Sequence, residues 1–244
     1  MPSEDGPRLQ HTMRAWWQET DARDGQFSTA RQFAQRLYEF ARESMPDRRR
    51  QRYGDIDYDW EYRVNTTGAT VGWRDRLLGQ FLSPYQPTEP ALFHEMMTSL
   101  QIDYAAFTFI DLGSGKGRTL LMAAEYPFKR ILGIEVLPSL HRAAEENIRK
   151  YRSDRQKCSA IESICGDARN FEFPAEPTVL YLFNPLPEAA LMEVLKCLQD
   201  SLRAYPRPVC VVYHNAVLEG AVAGQLSLEK ARGTHQYAIY RSRP

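Results

Sequence analysis

The chain has 244 residues, of which 43% are hydrophobic, and its 31 basic residues balance its 31 acidic residues. Such a chain can bury one substantial core, and a net charge of zero gives no overall basic field of the kind that attracts nucleic acid. Its apolar runs are shorter than the roughly 20 residues of a membrane helix, and the start lacks the features of a secretory signal. We therefore expect a soluble, cytoplasmic protein with no membrane span, and we do not expect it to bind nucleic acid.

Residues 1–75 are predicted to form an N-terminal extension. The polar stretch 1–27 has no clear periodicity and predicts a loosely packed arm. Ser28 is predicted to cap a helix that continues to about Ser44. An arginine cluster follows at positions 48, 49, 50 and 52, and its two interpretations are a solvated linker and a docking point for an acidic partner.

The stretch 53–62 is aromatic and acidic, with four tyrosines or tryptophans among ten residues, which is too aromatic for a disordered tail. We expect it to lie over the second domain, residues 76–244. Two roles stay open for it: a lid or wall beside a bound substrate, and structural packing alone.

A helix is predicted from Glu89 to about Leu100, with Thr88 as its cap. The next element is the most informative one. An apolar strand runs from Phe107 into Asp111, glycines follow at 113, 115 and 117, and an apolar helical run begins at Thr119. Glycine at alternate positions lets the backbone approach a ligand where any Cβ would collide. A buried strand, a tight turn and a helix are therefore predicted here.

The spacing of this turn excludes two common ligand sites. The dinucleotide fingerprint G-x-G-x-x-G requires a glycine where Arg118 stands, counting from Gly113. The phosphate-binding loop G-x-x-x-x-G-K-[ST] fails because Lys116 is followed by glycine. What remains is an acidic residue followed by three alternating glycines.

Later elements alternate between strand and helix. The predicted strands cover 130–135, 160–165, 178–183 and 208–213, and the predicted helices cover 138–152 and 188–204. The strand ends carry Glu135, the turn Gly166–Asp167–Ala168, the turn Asn184–Pro185, and His214. Two short strands, 226–230 and 236–241, fit an antiparallel pair at the end of the sheet. The alternation predicts an α/β fold, and the resemblance described next implies a three-layer, Rossmann-like, seven-stranded and mostly parallel sheet with an antiparallel C-terminal strand and an N-terminal helical extension.

In this order, Asp111, the glycines, Glu135 and Asp167 resemble the cofactor motifs of class I S-adenosylmethionine (SAM) dependent methyltransferases. The resemblance covers about residues 107–170. It implies SAM as cofactor, with the turn under the methionine part, Glu135 on the ribose hydroxyls, and Asp167 and the backbone of Ala168 on the adenine. The implied cofactor-binding set is Thr88, Asp111, Gly113, Ser114, Gly115, Gly117, Glu135, Asp167, Ala168 and Asn184. No metal is implied. The four cysteines, at 158, 165, 197 and 210, form no C-x-x-C pair and are expected to be free thiols.

The turn Asn184–Pro185 resembles the Asn-Pro-Pro-aromatic tetrapeptide of amino-methyltransferases, in which the asparagine holds the acceptor nitrogen. The chain departs from that pattern at Leu186 and Pro187, which weakens the case for adenine methylation. Asn184 is predicted to orient an acceptor nitrogen, with His214 or Tyr85 helping to remove its proton.

The whole layout also resembles lysine methyltransferases of the seven-strand type, with a Tyr-x-Pro-Thr element at 85–88 that closes over the cofactor. This favours transfer to nitrogen, plausibly that of a protein lysine side chain. Two other functions stay open: a small-molecule N- or O-methyltransferase, and a non-enzymatic SAM-binding sensor or scaffold.

Overall fold

The computed structural model describes residues 9–43, 56–67, 74, 77–78, 86–183, 186–225 and 227–243. The predicted arginine cluster, Tyr85 and the Asn184–Pro185 turn lie outside this part of the chain. Across the described ranges, no helix is both long enough and apolar enough to cross a membrane.

A seven-stranded sheet organises the part of the chain that the structure describes. In space its strands follow the order β3-β2-β1-β4-β5-β7-β6. The first five pair in parallel, while β7 pairs antiparallel with both β5 and β6. The predicted fold class is thereby confirmed. The strands are β1 (Thr108–Leu112), β2 (Arg130–Glu135), β3 (Ile161–Cys165), β4 (Thr178–Phe183), β5 (Val209–His214), β6 (Leu228–Gly233) and β7 (Tyr237–Ser242).

Helices cover both faces of the sheet, as expected for parallel strands joined by crossovers. The described helices are α1 (Leu9–Asp24), α2 (Gln26–Glu43), α3 (Ile56–Tyr62), α4 (Pro90–Thr98), α5 (Arg118–Ala123), α6 (Pro138–Lys150), α7 (Glu188–Ala204) and α8 (Glu219–Ala223). One face of the sheet packs its buried apolar side chains against α3, α4 and α5, and the other packs against α7 and α8.

Within the stretch predicted as a loosely packed N-terminal arm, the structure has a helix that the sequence did not predict, and residues 1–8 lie outside the described part of the chain. Residues Leu9–Asp24 form α1, and Gly25, with φ +78°, separates it from α2. Trp16 and Trp17 both contact Phe33 of α2, with ring centroids 6.1 and 5.5 Å away. The two helices therefore stabilise each other through aromatic contacts, which a search for one periodic apolar stripe does not detect.

Two predicted helix caps are also wrong. The second helix begins at Gln26, so Ser28 lies inside its first turn. Glu89 occupies the cap position of α4 and makes no side-chain cap hydrogen bond, whereas the Thr88 hydroxyl bonds the phenol of Tyr181. In both cases a residue typical of caps has been placed by its surroundings rather than by local preference.

The last two strands begin and end later than predicted. The sequence places them at 226–230 and 236–241, and the structure places them at Leu228–Gly233 and Tyr237–Ser242. Their antiparallel pairing is as expected, and it leaves β6 as the exposed edge of the sheet.

Candidate active site

The glycine turn connects β1 to α5 at the carboxyl edge of the sheet. Gly113, Gly115 and Gly117 have φ values of +81°, +55° and +81°, a region that side chains with a Cβ rarely adopt. The N–H groups of Gly113 and Ser114 both donate to the carbonyl of Ile134 in β2, at 2.8 and 3.1 Å. The turn is thus fixed against the neighbouring strand, and its backbone conformation requires the glycines.

Glu135, the last residue of β2, fastens the other side of this turn. Its Oε2 accepts a hydrogen bond from the N–H of Gly115, and its Oε1 accepts one from the N–H of Leu137, both at 2.8 Å. The carboxylate is 5% exposed, so its charge depends on such bonds. The carboxylate of Glu135 therefore holds the turn against the start of α6.

Asp111 lies beneath the turn, on β1, and is almost fully buried. Removal from water raises the pKa of its carboxyl to about 7, the hydrogen bond from the Thr119 hydroxyl lowers it, and the charge of Glu135 raises it further. At neutral pH both the protonated and the ionised form of Asp111 are therefore present. A nearby positive charge would favour the ionised form.

The Ser114 side chain lies next to Gly133 of β2. Its hydroxyl is buried and has no hydrogen-bond partner in the described part of the chain. A Cβ built on Gly133 would lie 2.6 Å from this oxygen and 2.6 Å from a methyl carbon of Leu120. Gly133 of β2 is therefore required by close packing beneath the turn rather than by its backbone angles.

A segment from the N-terminal extension covers the outer side of the turn. We call residues 56–67, which are α3 and the five residues after it, the strap. Asn147 of α6 joins strap and turn, because its side-chain amide donates to the carbonyls of Asn65 and Lys116, at 3.0 and 2.9 Å. Its oxygen accepts from the N–H of Asn65, at 2.8 Å.

Two cations of the turn bind the strap as well. The Lys116 ammonium donates to the carbonyl of Thr67 at 2.7 Å, and the Arg118 guanidinium donates to the Thr66 hydroxyl at 2.7 Å. Arg118 also forms an ion pair with Asp59 at 3.4 Å. Burial lowers the pKa of Lys116 to about 8, and Asp59 raises it in part. These contacts direct both cations toward the strap.

Asp167 follows β3 at the same edge of the sheet. It caps the short 3₁₀ helix Ala168–Asn170, accepting from the Arg169 N–H at 2.9 Å, and it pairs with the Arg169 guanidinium, with Nη2 at 2.6 Å. Burial raises the pKa of the Asp167 carboxyl, but the hydrogen bonds from Arg169 outweigh burial and lower it. Ala168 is buried beside it.

A second polar group lies where β4 and β5 end. The phenol of Tyr181 is within hydrogen-bond distance of Thr88 Oγ1, at 2.9 Å, and of His214 Nδ1, at 2.8 Å. The His214 ring stacks on Phe183, with centroids 3.9 Å apart and planes at 19°. Burial lowers the pKa of His214 to about 4, so the imidazole is neutral at physiological pH.

The sequence-predicted residues thus fall into three places. The turn brings together Asp111, Gly113, Ser114, Gly115, Gly117 and Glu135; Asp167 and Ala168 follow the neighbouring strand; and Thr88 and His214 meet through Tyr181. Sequence reasoning did not single out Tyr181, Asn147, or the roles of Lys116 and Arg118 in holding the strap. Across the described residues no group of three or more potential metal-binding side chains is found.

Comparison with known proteins supports the resemblance of the cofactor motifs. A family model described as histone methylation protein DOT1 matches residues 83–161, about a third of the chain, which includes the glycine turn and Glu135. The strand order and the ordered acidic and glycine residues are those of class I enzymes. The family match and the motifs together support a SAM-dependent methyltransferase, and the chain resembles the class I enzymes in its strand order and cofactor motifs. A search of curated protein sequences finds no significant match.

Solved structures of similar fold include methyltransferases with different acceptors. An RNA methyltransferase from Salinibacter ruber in complex with S-adenosyl-L-homocysteine is 21% identical, with a TM-score of 0.43, and the match covers 64% of this chain and 92% of that chain. A predicted N6-adenine-specific DNA methylase from Listeria monocytogenes is 15% identical, with a TM-score of 0.47 and coverages of 64% and 51%. A precorrin-6y C5,15-methyltransferase from Geobacter metallireducens is 14% identical, with a TM-score of 0.46 and coverages of 64% and 89%. Similarity at this level does not identify a substrate, and it gives no support to the expectation that nucleic acid is not bound.

The residues at the turn fit SAM, which has no phosphate. The cation of the turn, Lys116, donates to the strap, while Glu135 at the opposite side is a hydrogen-bond acceptor. Ribose hydroxyls would donate to this carboxylate, a requirement that SAM shares with dinucleotides. The donor and acceptor chemistry therefore agrees with the class of cofactor that the motifs indicate.

Gly133→Ala should destabilise the turn because the added methyl group would meet the Ser114 oxygen and Leu120 at 2.6 Å. Overpacking of this kind costs about 1–3 kcal/mol, and we expect the melting temperature and the affinity for SAM both to fall. Gly220→Ala is the matched control, since an added Cβ meets nothing within 4 Å in helix α8. Equal melting temperatures of the two variants, measured by calorimetry, would contradict the packing beneath the turn.

Asp111 and His214 should affect stability in opposite ways as pH changes. The folded pKa of Asp111 is raised, so its contribution is present below pH 4 and is lost as pH rises through 7. The folded pKa of His214 is lowered, so its contribution is present above pH 6.5 and is lost as pH falls through 4. Between pH 4 and 6.5 the two dependences largely cancel in the wild-type protein.

Single variants should therefore reveal how each of the two groups makes the free energy of unfolding depend on pH. Relative to wild type, Asp111→Asn should gain up to about 4 kcal/mol of unfolding free energy between pH 4 and 7, and His214→Gln should lose about 3 kcal/mol between pH 4 and 6.5. Urea unfolding at several pH values measures both differences. A difference that stays constant with pH would mean that the corresponding group titrates normally.

Proposed function

We propose that this SAM-dependent methyltransferase transfers its methyl group to a nitrogen, with the lysine side chain of a protein as the first candidate acceptor. The observation that carries the proposal is the neutral, buried imidazole of His214 at the carboxyl edge of the sheet, stacked on the residue that precedes Asn184. An uncharged hydrogen-bonding group suits a neutral amine, because an amine attacks only through its free lone pair. The match to the histone methylation family model supports a protein acceptor.

The roles of individual residues are part of the same proposal. Asp111, Gly113, Ser114, Gly115 and Gly117 would form the cradle under the methionine part of the cofactor, with Thr88 closing over its end. Glu135 would accept from the ribose hydroxyls, and Asp167 and Ala168 would receive the adenine, for which the Arg169 side chain must move aside. Residues 76–244 would form the methyltransferase domain and residues 1–75 an extension or lid.

The acceptor side would be formed by Asn184, His214 and Tyr85. Asn184 would orient the acceptor nitrogen and could also contact the cofactor, as in the amino-methyltransferases that it resembles. SAM supplies an electrophilic methyl group when it is bound, so the protein has to align the acceptor, exclude water and leave a nitrogen lone pair free. With a pKa of about 4, His214 is a weak base. Its contribution is to accept a hydrogen bond from the amine rather than to hold a proton removed from that amine.

Contacts of the strap favour its role beside the substrate over packing alone. It binds the cofactor turn through Lys116, Arg118 and Asn147, so a change at the turn is transmitted directly to this segment. Trp60 of the strap is 79% exposed, which leaves a large aromatic surface free for an acceptor protein.

Glu135→Gln should weaken SAM binding at least tenfold. The amide can accept from only one of the two backbone N–H groups, so it loosens the turn and offers the ribose hydroxyls a poorer acceptor. Glu162→Gln, on the exposed edge strand β3, is the control and should bind SAM as the wild type does. Isothermal titration with SAM and with NAD is the measurement. Binding of NAD in place of SAM would overturn the assignment of the cofactor.

The acceptor class can be identified by labelling. The purified enzyme is incubated with SAM carrying a radioactive methyl group and a lysate of the source cells, and the label is followed into protein, nucleic acid and small molecules after protease or nuclease treatment. We expect label in a protein band, recovered as methyl-lysine after hydrolysis, and we expect Asn184→Ala to lose most of it.

The other outcomes of this labelling experiment are equally decisive. Label in nucleic acid or in a small molecule would replace the proposed acceptor, and the latter is the second candidate function. Bound SAM with no transfer to any fraction would favour a sensor or scaffold. An unchanged kcat for Asn184→Ala with the true acceptor would remove Asn184 from the acceptor site.

A further inference from the structure

Three side chains from separate elements form one hydrogen-bonded row across the sheet. Thr88 precedes α4, Tyr181 lies in the middle of β4, and His214 ends β5; the Tyr181 phenol is 2.9 Å from Thr88 Oγ1 and 2.8 Å from His214 Nδ1. The row runs from the residue proposed to close over the cofactor to the residue proposed to meet the acceptor. Tyr181 is the only member of the row that has no part in the proposed function.

The ring of Tyr181 packs among apolar side chains, and Asp111 lies opposite it on β1. The Tyr181 side chain is fully buried, and its ring contacts Phe93 and Phe109 at centroid distances of 5.8 and 6.1 Å. Phenylalanine would fill the same space without a polar atom to satisfy. The phenol therefore contributes something other than packing, and its two partners indicate what that is.

His214 has one ring nitrogen that Tyr181 does not occupy. Nδ1 bonds the phenol, and Nε2 has no hydrogen bond to any residue in the described part of the chain. The ring is held in place by stacking on Phe183. The lowered pKa of His214 means that the ring carries a single proton near neutral pH, on either Nδ1 or Nε2.

The position of that proton follows from the direction of the row. If Tyr181 donates to Nδ1, the proton lies on Nε2. If Tyr181 donates to Thr88, Nδ1 must donate to Tyr181, and Nε2 then carries a free lone pair. The proposed role of Thr88 selects the second direction, because a Thr88 hydroxyl that donates to an anionic group of the cofactor can only accept from Tyr181.

We infer that Tyr181 is a positioning residue that holds the ring proton of His214 on Nδ1, so that Nε2 accepts an N–H from the acceptor amine. The inference rests on the proposed function for its chemical meaning. With one N–H held by Nε2, the amine lone pair is directed at the methyl carbon. The new N–C bond forms from that lone pair, the S–C bond breaks with its electrons staying on sulfur, and the product is a methylated ammonium beside a neutral thioether. The ammonium then loses its proton to water.

Nuclear magnetic resonance tests the inference without any acceptor. Protein labelled with ¹⁵N in its five histidines is saturated with S-adenosylhomocysteine, and the His214 signals are assigned by their loss in His214→Gln. We expect a protonated Nδ1 and an unprotonated Nε2 in the wild type, and a shift toward the other tautomer in Tyr181→Phe. A proton on Nε2 in the wild-type complex, or an identical tautomer in both proteins, would overturn the inference.

Kinetics provides the second test. Tyr181→Phe should lower kcat about tenfold, the effect of about one hydrogen bond, while KM for SAM stays within about twofold. The control is Tyr213→Phe, which removes the phenol of a fully buried tyrosine on the opposite face of the neighbouring strand and should leave kcat unchanged. A Tyr181→Phe enzyme with normal kcat, or one impaired no more than the control, would contradict the inference.

If the wild-type enzyme transfers no methyl group to an amine, the proposed function fails, and the tautomer measurement still decides the role of Tyr181.

Discussion

The site depends most on one carboxylate that two backbone N–H groups share. Glu135 ends β2 and binds the N–H of Gly115 and the N–H of Leu137, so it joins the turn after β1 to the start of α6. A buried carboxylate needs such partners, because burial without them costs several kcal/mol. The same bonds that stabilise the charge also set the curvature of the turn. The turn is consequently held in its conformation by bonds within the chain itself.

The cations beside the glycine turn bind acceptors within the chain itself, which distinguishes this glycine-rich loop from a phosphate-binding loop. Lys116 and Arg118 lie in and next to the turn and are both buried. Their donors reach Thr67 and Thr66 of the strap, and Asp59 adds a negative charge to the same group of contacts. Residues 56–67 thus supply the acceptors that a phosphate would supply elsewhere. This explains why a segment so far from the turn in sequence is packed against it.

The sequence predicted the sheet well because its strands are dense apolar runs that end in polar or glycine residues. The bounds of β2, β4 and α7 agree with the predictions to the residue. The N-terminal helix was missed because its stability comes from aromatic contacts with α2, not from a periodic apolar face. Thr88 looked like a helix cap because threonine before a helix usually is one, and only the structure brings in Tyr181 from 93 positions along the chain.

Tyr181 also shows why the acceptor side is harder to predict than the cofactor side. The cofactor residues are close in sequence and follow fixed spacings, since one strand, one turn and the next strand supply them. Thr88, Tyr181 and His214, by contrast, come from three separate elements, and inside an apolar strand a tyrosine is indistinguishable from a core aromatic residue. The register places Asp111 opposite Tyr181 and Phe183 opposite His214 on one face of the sheet. Asp111, beneath the glycine turn, and His214, at the end of β5, therefore lie on the same face of the sheet. Tyr181 and Phe183 of β4 lie between them.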